Sequence, residues 1–169
     1  PPRSTLFPYT TLFRSLIKGE EAKVESEPLK ILGTLQGDAI LPADFIISAH
    51  TNRVAVVDGH TVCLSVELEK HATQEQVVDA LRSYQAPEVS RDLPSAPNPV
   101  IVVRDEADRP QPKLDRMTGR GMSTVVGRVR PDPLFSYKMV VLSHNTIRGA
   151  AGGSVYNAEL LTKLGYVKG

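Results

Sequence analysis

Val62-Cys63-Leu64-Ser65-Val66-Glu67-Leu68-Glu69 decides the fold, because it alternates without a break. Side chains of a β-strand point to opposite faces with a period of two, so Val62, Leu64, Val66 and Leu68 face a core while Ser65, Glu67 and Glu69 face water. Immediately upstream, Asp58-Gly59 is a strong two-residue turn signal between apolar runs. The run before it, Val54 to Val57, reads as buried strand and is bordered by two residues that need a reason to be there, Arg53 and His60. A guanidinium is a planar fork suited to a carboxylate or phosphate, and an imidazole can move a proton near neutral pH. The alternative for this pair is a strand-edge arginine in a surface ion pair and a turn histidine. A regular hairpin would separate the two by about 13 Å, four residues at about 3.3 Å each, so cooperation requires a bend or bulge between them.

Outward from this segment the chain alternates strands and helices. Residues 19–31 are rich in Glu, Lys and Ala and suit a helix that Pro28 should break or bend. Phe45 to Ala49 reads as another buried strand. Thr73-Gln74-Glu75-Gln76 is a capping box, and Val77, Val78, Ala80, Leu81 and Tyr84 give the following helix its apolar face. Pro87, Pro94, Pro97 and Pro99 mark loop or edge. Val100 to Val103 is a short strand, Asp105 to Arg120 is polar and turn-rich, and Met122–Val129 and Tyr137–Leu142 are the last two strands. The final helix is expected from about Thr146 to Leu164, with Gly165 as its stop. Alternating strands beside one long terminal helix predict an α+β fold, a mixed or antiparallel sheet with helices packed on one face.

The first fifteen residues do not fit this pattern. Thr5-Leu6-Phe7-Pro8-Tyr9-Thr10-Thr11-Leu12-Phe13-Arg14-Ser15 has no helical or strand period and reads, codon for codon, as translated short-read sequencing adapter. A transit or signal segment is the alternative, but no apolar core or small-residue cleavage site follows. Residues 1–15 are therefore expected to be non-native and residues 16–169 to form one domain. The 20 basic and 19 acidic residues give a formal charge of +1, which becomes −1 without Arg3 and Arg14. That balance gives no support for nucleic-acid or membrane binding. No apolar stretch approaches the roughly 18 residues of a membrane span. Cys63 is the single cysteine, so no intrachain disulfide is possible and a reducing, cytoplasmic compartment is expected. His50, His60, His71 and His144 lack zinc-type spacing, and no metal is expected.

Three elements carry a family resemblance. Arg53-Val54 with Gly59-His60 resembles the seven-residue Arg-Val…Gly-His element of aspartate-semialdehyde dehydrogenase. Glu27-Pro28-Leu29-Lys30-Ile31 is similar to its Glu-x-x-Lys-Ile segment. Asn145-Thr146-Ile147-Arg148-Gly149-Ala150-Ala151 is similar to its Asn-x-x-x-Gly-Ala-Ala start of the last helix. All three belong to the C-terminal catalytic and dimerisation domain, as in fungal-like members, and the likeness runs from about Gly19 to the C-terminus. It implies that Arg53 binds the substrate carboxylate, Glu27 the substrate amino group and Lys30 phosphate. It further implies that His60 is the catalytic acid/base and that Asn145 approaches the nicotinamide of NADP. The implied reaction is NADPH-dependent reduction of aspartyl phosphate to aspartate semialdehyde with release of phosphate, in lysine, threonine and methionine biosynthesis. A homodimer or tetramer built on the sheet is implied as well.

Residue chemistry is consistent with those roles one by one, since the substrate carries a carboxylate, an ammonium and a phosphate. Glu27 and Lys30 are equally spaced for an ordinary i, i+3 ion pair on a helix surface. The sequence contains no G-x-G-x-x-G; Gly119-Arg120-Gly121 lacks the third glycine. Gly149–Gly153 opens a helix and could face an anion or allow close packing. Cys63 lies outside any nucleophile motif and reads as a buried or half-buried structural thiol. A chain without nucleophile and cofactor fingerprint is expected to be a truncated and inactive fragment of the enzyme. Two other functions stay open: a non-catalytic dimerisation or binding module derived from such an enzyme, and the related N-acetyl-glutamyl-phosphate reductase. Glu27 suits a free amino group better than an acetylated one.

Overall fold

The computed structural model describes residues 13–15 and 17–167. Most of the stretch read as foreign, residues 1–12, lies outside them. The chain divides into two compact units, the first ending at Val56 and the second running from Val57.

In the first unit, β1 (Phe13–Arg14) pairs antiparallel with β4 (Arg53–Val54), and β2 (Thr34–Gln36) forms a small ribbon with β3 (Ala39–Leu41). Backbone pairing of two residues is open to any sequence, so the β1 pairing says nothing about the origin of Phe13 and Arg14. Helix α1 spans Glu20–Ile31 and carries Pro28 inside it. Pro28 has no N–H to give to the Val24 carbonyl, so one rung of the ladder is missing, but its own carbonyl still accepts the Leu32 N–H at 2.9 Å and the helix continues through it to Ile31 instead of breaking there. Phe45 to Ala49 is not a strand; Ile46 is 96% exposed. The amide of Ala49 instead donates to the Glu25 carboxylate and that of Thr51 to Glu21, at 3.0 and 2.9 Å. Side-chain acceptors one helical turn apart thus take the place of a strand partner.

The second unit is built on a four-stranded sheet of order β5-β8-β7-β6, with β5 at His60–Val66, β6 at Ile101–Arg104, β7 at Thr124–Pro131 and β8 at Tyr137–Ser143. β5/β8 and β8/β7 are antiparallel and β7/β6 parallel, which makes the sheet mixed. The fold class is the expected α+β. β4 has β1 as its partner and β5 has β8, so the hairpin expected across Asp58-Gly59 is replaced by two separate pairings.

Helix α2, Gln74–Ser83, starts at the expected capping box: Thr73 Oγ1 accepts from Gln76 N–H, and Gln76 Oε1 from Thr73 N–H. Its Val77, Val78 and Leu81 pack on Val126, Val129, Tyr137 and Met139 of the sheet, together with Val66, Leu68, Ile101 and Val141. Tyr84 is half-exposed and contributes nothing to that face. α2 lies over β6 and β7. Val62 and Leu64 share the face of Met139 and Val141 but sit at the far edge, and remain 49% and 37% exposed. The β5 alternation therefore sets the facing correctly while burying only its second half.

On the opposite face Val125 and Leu142 are almost fully buried. A bulge between Gly127 and Arg130 twists β7, with Arg128 at φ +56°. A one-turn helix α3 (Glu88–Arg91) and a second, α4 (Pro112–Asp115), punctuate the connections, and a 3₁₀ turn follows at Thr118–Gly121. The chain ends in a π-helical turn, Ile147–Ala151, that runs into α5 (Gly152–Lys163); Gly165, at φ +78°, stops it as expected. No helix among the described residues is long and apolar enough to cross a membrane.

Candidate functional site

Each expected site residue has a definite place. Glu27 and Lys30 lie on α1, both exposed. Among the described residues the i, i+3 ion pair on this helix joins Lys23 to Glu20 at 3.2 Å, not Lys30 to Glu27. Among the described residues no hydrogen bond or ion pair engages either side chain, and both stand toward the C-terminal end of α1. Arg53 is exposed in β4, two residues beyond the Thr51 amide that Glu21 anchors to the same helix. Glu21 and Glu25 thus fix the approach to Arg53, a role no periodicity in the sequence announces.

In the second unit, His60 opens β5 and pairs in register with Ser143, the last residue of β8. Two residues on, Asn145 reaches back across this pair, its Oδ1 accepting the Gly59 amide at 2.9 Å. His60 and Asn145, 85 residues apart in sequence, are thereby brought to one end of the sheet. Gly59 takes φ +114°, a conformation that side-chain-bearing residues rarely adopt, which is the structural content of the Asp58-Gly59 turn signal. His144 between them is only 4% exposed, and its Nδ1 accepts from the amides of Thr146 and Ile147, both at 3.3 Å. A ring nitrogen that accepts two N–H groups carries no proton, so the ring proton sits on Nε2. His144 thus caps the π turn in the manner of an Asn or Ser at a helix start.

Cys63 is exposed and free, contrary to the buried or half-buried thiol expected from sequence. It lies opposite Val140 on the face away from α2, in the strand that forms one edge of the sheet. One cluster escaped sequence reading altogether. Asp115, at the end of α4, is wholly buried and bonded by Arg109, by Arg104 Nε at 3.2 Å and by the Gln111 amide at 2.7 Å. Burial pushes its carboxyl up. The Arg109 hydrogen bond, the Gln111 amide and the charges of both arginines outweigh that and hold it below the usual carboxylate range. Among the described residues this cluster makes no hydrogen bond to His60 or Asn145, and its bonds tie α4 to β6 and to the Arg109 segment.

Residues 11–148 match the family described as semialdehyde dehydrogenase, dimerisation domain. The chain belongs to that family. It is 51% identical over 147 residues to the aspartate-semialdehyde dehydrogenase of Archaeoglobus fulgidus, covering 87% of this chain and 42% of that protein. The Saccharomyces cerevisiae enzyme is 46% identical over 152 residues, with 86% and 42% covered. Among solved structures, the Candida albicans aspartate semialdehyde dehydrogenase with NADP superposes with a TM-score of 0.83 at 41% identity, over 92% of this chain and 45% of that one. The semialdehyde dehydrogenase dimerisation domain thus spans less than half the length of the relatives it matches.

Proposed function

We propose that this chain is the substrate-binding and dimerisation part of an aspartate-semialdehyde dehydrogenase, the enzyme that reduces aspartyl phosphate to aspartate semialdehyde with NADPH. The observation that carries this is the 51% identity to an aspartate-semialdehyde dehydrogenase across 87% of the chain. The placement of the charged residues supports it. Arg53, Glu27 and Lys30 are exposed and complementary to a carboxylate, an ammonium and a phosphate, respectively. His60, exposed at a strand end, can give a proton to an oxyanion formed on the substrate carbonyl or take one from a thiol. Fixing its backbone to β8 and, through Gly59, to Asn145 limits the range from which that transfer occurs.

NADPH would supply a hydride when bound and leave as NADP. Of the expected residues, Asn145 would be the one to meet the nicotinamide end: its Oδ1 is engaged by the Gly59 amide, which leaves the two N–H donors of its amide for an acceptor such as a carboxamide oxygen. The remainder of the cofactor would be held by residues outside this chain. Residues 16–169 are proposed as the domain, with self-association through the sheet as a homodimer or tetramer.

The test is kinetic and uses the enzyme completed with its upstream coding sequence. Replacing Arg53 by Ala should raise KM for the substrate by at least tenfold with a smaller change in kcat, and His60→Ala should do the reverse. Wild-type kinetics in both variants would remove the site assignment. NADPH turnover by the present chain alone, above a His60→Ala control, would show that the reaction needs no further domain.

A further inference from the structure

We propose that Asn145 is a positioning residue for His60, acting through the Gly59 peptide; this rests on the acid/base reading of His60. Three independent restraints meet at that peptide. The Gly59 N–H donates to Asn145 Oδ1 at 2.9 Å. Its φ of +114° is a left-handed value that favours glycine, and a Cβ there would come within 3.1 Å of Leu142 Cδ1 and 3.5 Å of Pro112 Cβ. The next residue, His60, is the first rung of the β5/β8 ladder, opposite Ser143. The histidine backbone is thus held on one side by a strand pair and on the other by a side-chain amide.

Asn145 is suited to this because it is itself immobilised. Ser143 before it is in the ladder, and the Thr146 and Ile147 amides after it are bound by the buried His144 ring. A short amide side chain on a backbone fixed at both ends loses little further entropy when it binds. Without the acceptor, the half-buried Gly59 amide must find water or leave its place, and His60 starts from a wider set of positions. The two ends of the Asn145 amide then have separable duties: the oxygen holds Gly59, while the nitrogen is left for a ligand.

This separation sets the experiment. Asn145→Ala removes both ends, and Asn145→Asp keeps only the acceptor. In the present chain, hydrogen exchange at the Gly59 amide should be at least tenfold faster in Asn145→Ala and return to within about twofold of wild type in Asn145→Asp. In the completed enzyme, kcat should fall about tenfold in Asn145→Ala; Asn145→Asp, which keeps the acceptor but loses the amide N–H groups proposed for the nicotinamide, should regain part of that loss, and the loss caused by Asn145→Ala should be clearly smaller in a His60→Ala background. Unchanged Gly59 exchange in Asn145→Ala overturns the proposal. So does a kcat loss of equal size with and without His60. Faster Gly59 exchange together with wild-type kcat in His60→Ala would instead sink the acid/base reading while leaving the Asn145–Gly59 link in place.

Discussion

The guanidinium of Arg109 engages both carboxylate oxygens of Asp115, which has no exposure to solvent at all. Removing one partner of a buried pair leaves an uncompensated charge. Asp115→Ala should therefore cost roughly 3 kcal/mol of stability in urea unfolding, since Arg104 and Arg109 lose their common acceptor. Asp115 sits below its ordinary range in the folded state, so its contribution is present above about pH 4, the unfolded carboxylate value, and is lost as pH falls through the lower folded value. Stability should accordingly be flat near neutrality and fall in acid, and Asp115→Asn should flatten the acid limb. An unaltered acid limb in that variant would assign the loss to other carboxylates.

His144 offers a second test. Its ring accepts the Thr146 and Ile147 amides, a cap on the turn that leads into α5. His144→Leu keeps the bulk and loses the acceptor, and should cost about 1–2 kcal/mol. His144→Asn, whose amide oxygen can take the place of Nδ1, should recover part of that. Equal thermal stability of the two variants would show that packing, not acceptance, is what the ring provides.

Gly127 is crowded rather than flexible. A Cβ there would lie 2.3 Å from the Arg109 carbonyl oxygen, which is backbone and cannot swing aside. Gly127→Ala should destabilise by about 1–3 kcal/mol, and Gly127→Val by more. Retained stability would mean that the Arg109–Pro110 segment moves freely over β7.

The exposed half of the α2 face, Val62 and Leu64 at the β5 edge, fits the dimerisation expected of this family. Val62→Asp with Leu64→Asp should weaken self-association at least tenfold, about 1.4 kcal/mol, in sedimentation velocity, while circular dichroism stays unchanged. An unaltered assembly would place the interface on another surface.

What the sequence made legible were features in which one residue's chemistry dictates local geometry. The β5 alternation, the Thr73–Gln76 capping box and the Gly165 stop all act within a few residues, and all are present. Arg53 and His60 stood out as charged types beside an apolar run, whereas Glu27 and Lys30 have the spacing of an ordinary surface pair and were singled out only by the family resemblance. Where satisfaction of the backbone is long-range, the pattern was silent. Phe45 to Ala49 has strand-like composition, yet its neighbourhood is served by Glu21 and Glu25 across more than twenty residues of sequence. Asp115 lay in a stretch that reads as polar loop, because composition cannot distinguish a solvated aspartate from one ringed by two arginines. The Asn145–Gly59 bond was equally invisible, although both residues had drawn notice for separate reasons.

The order of strands in the sheet has a kinetic consequence. β7 and β8 are joined by a short turn that Asp132 stabilises by accepting the Leu134 and Phe135 amides, so their pairing is local. β5 must instead cross the whole stretch holding α2, β6 and β7 to meet β8. Contacts of such separation close late in folding and, at the end of a sheet, open early. The strand that begins with His60 is thus the one most readily lost while the β6–β8 core stays intact. Damage at this end would escape a melting curve dominated by that core and would appear first as faster amide exchange along His60–Val66, with the candidate proton-transfer group released from a protein that still scores as folded.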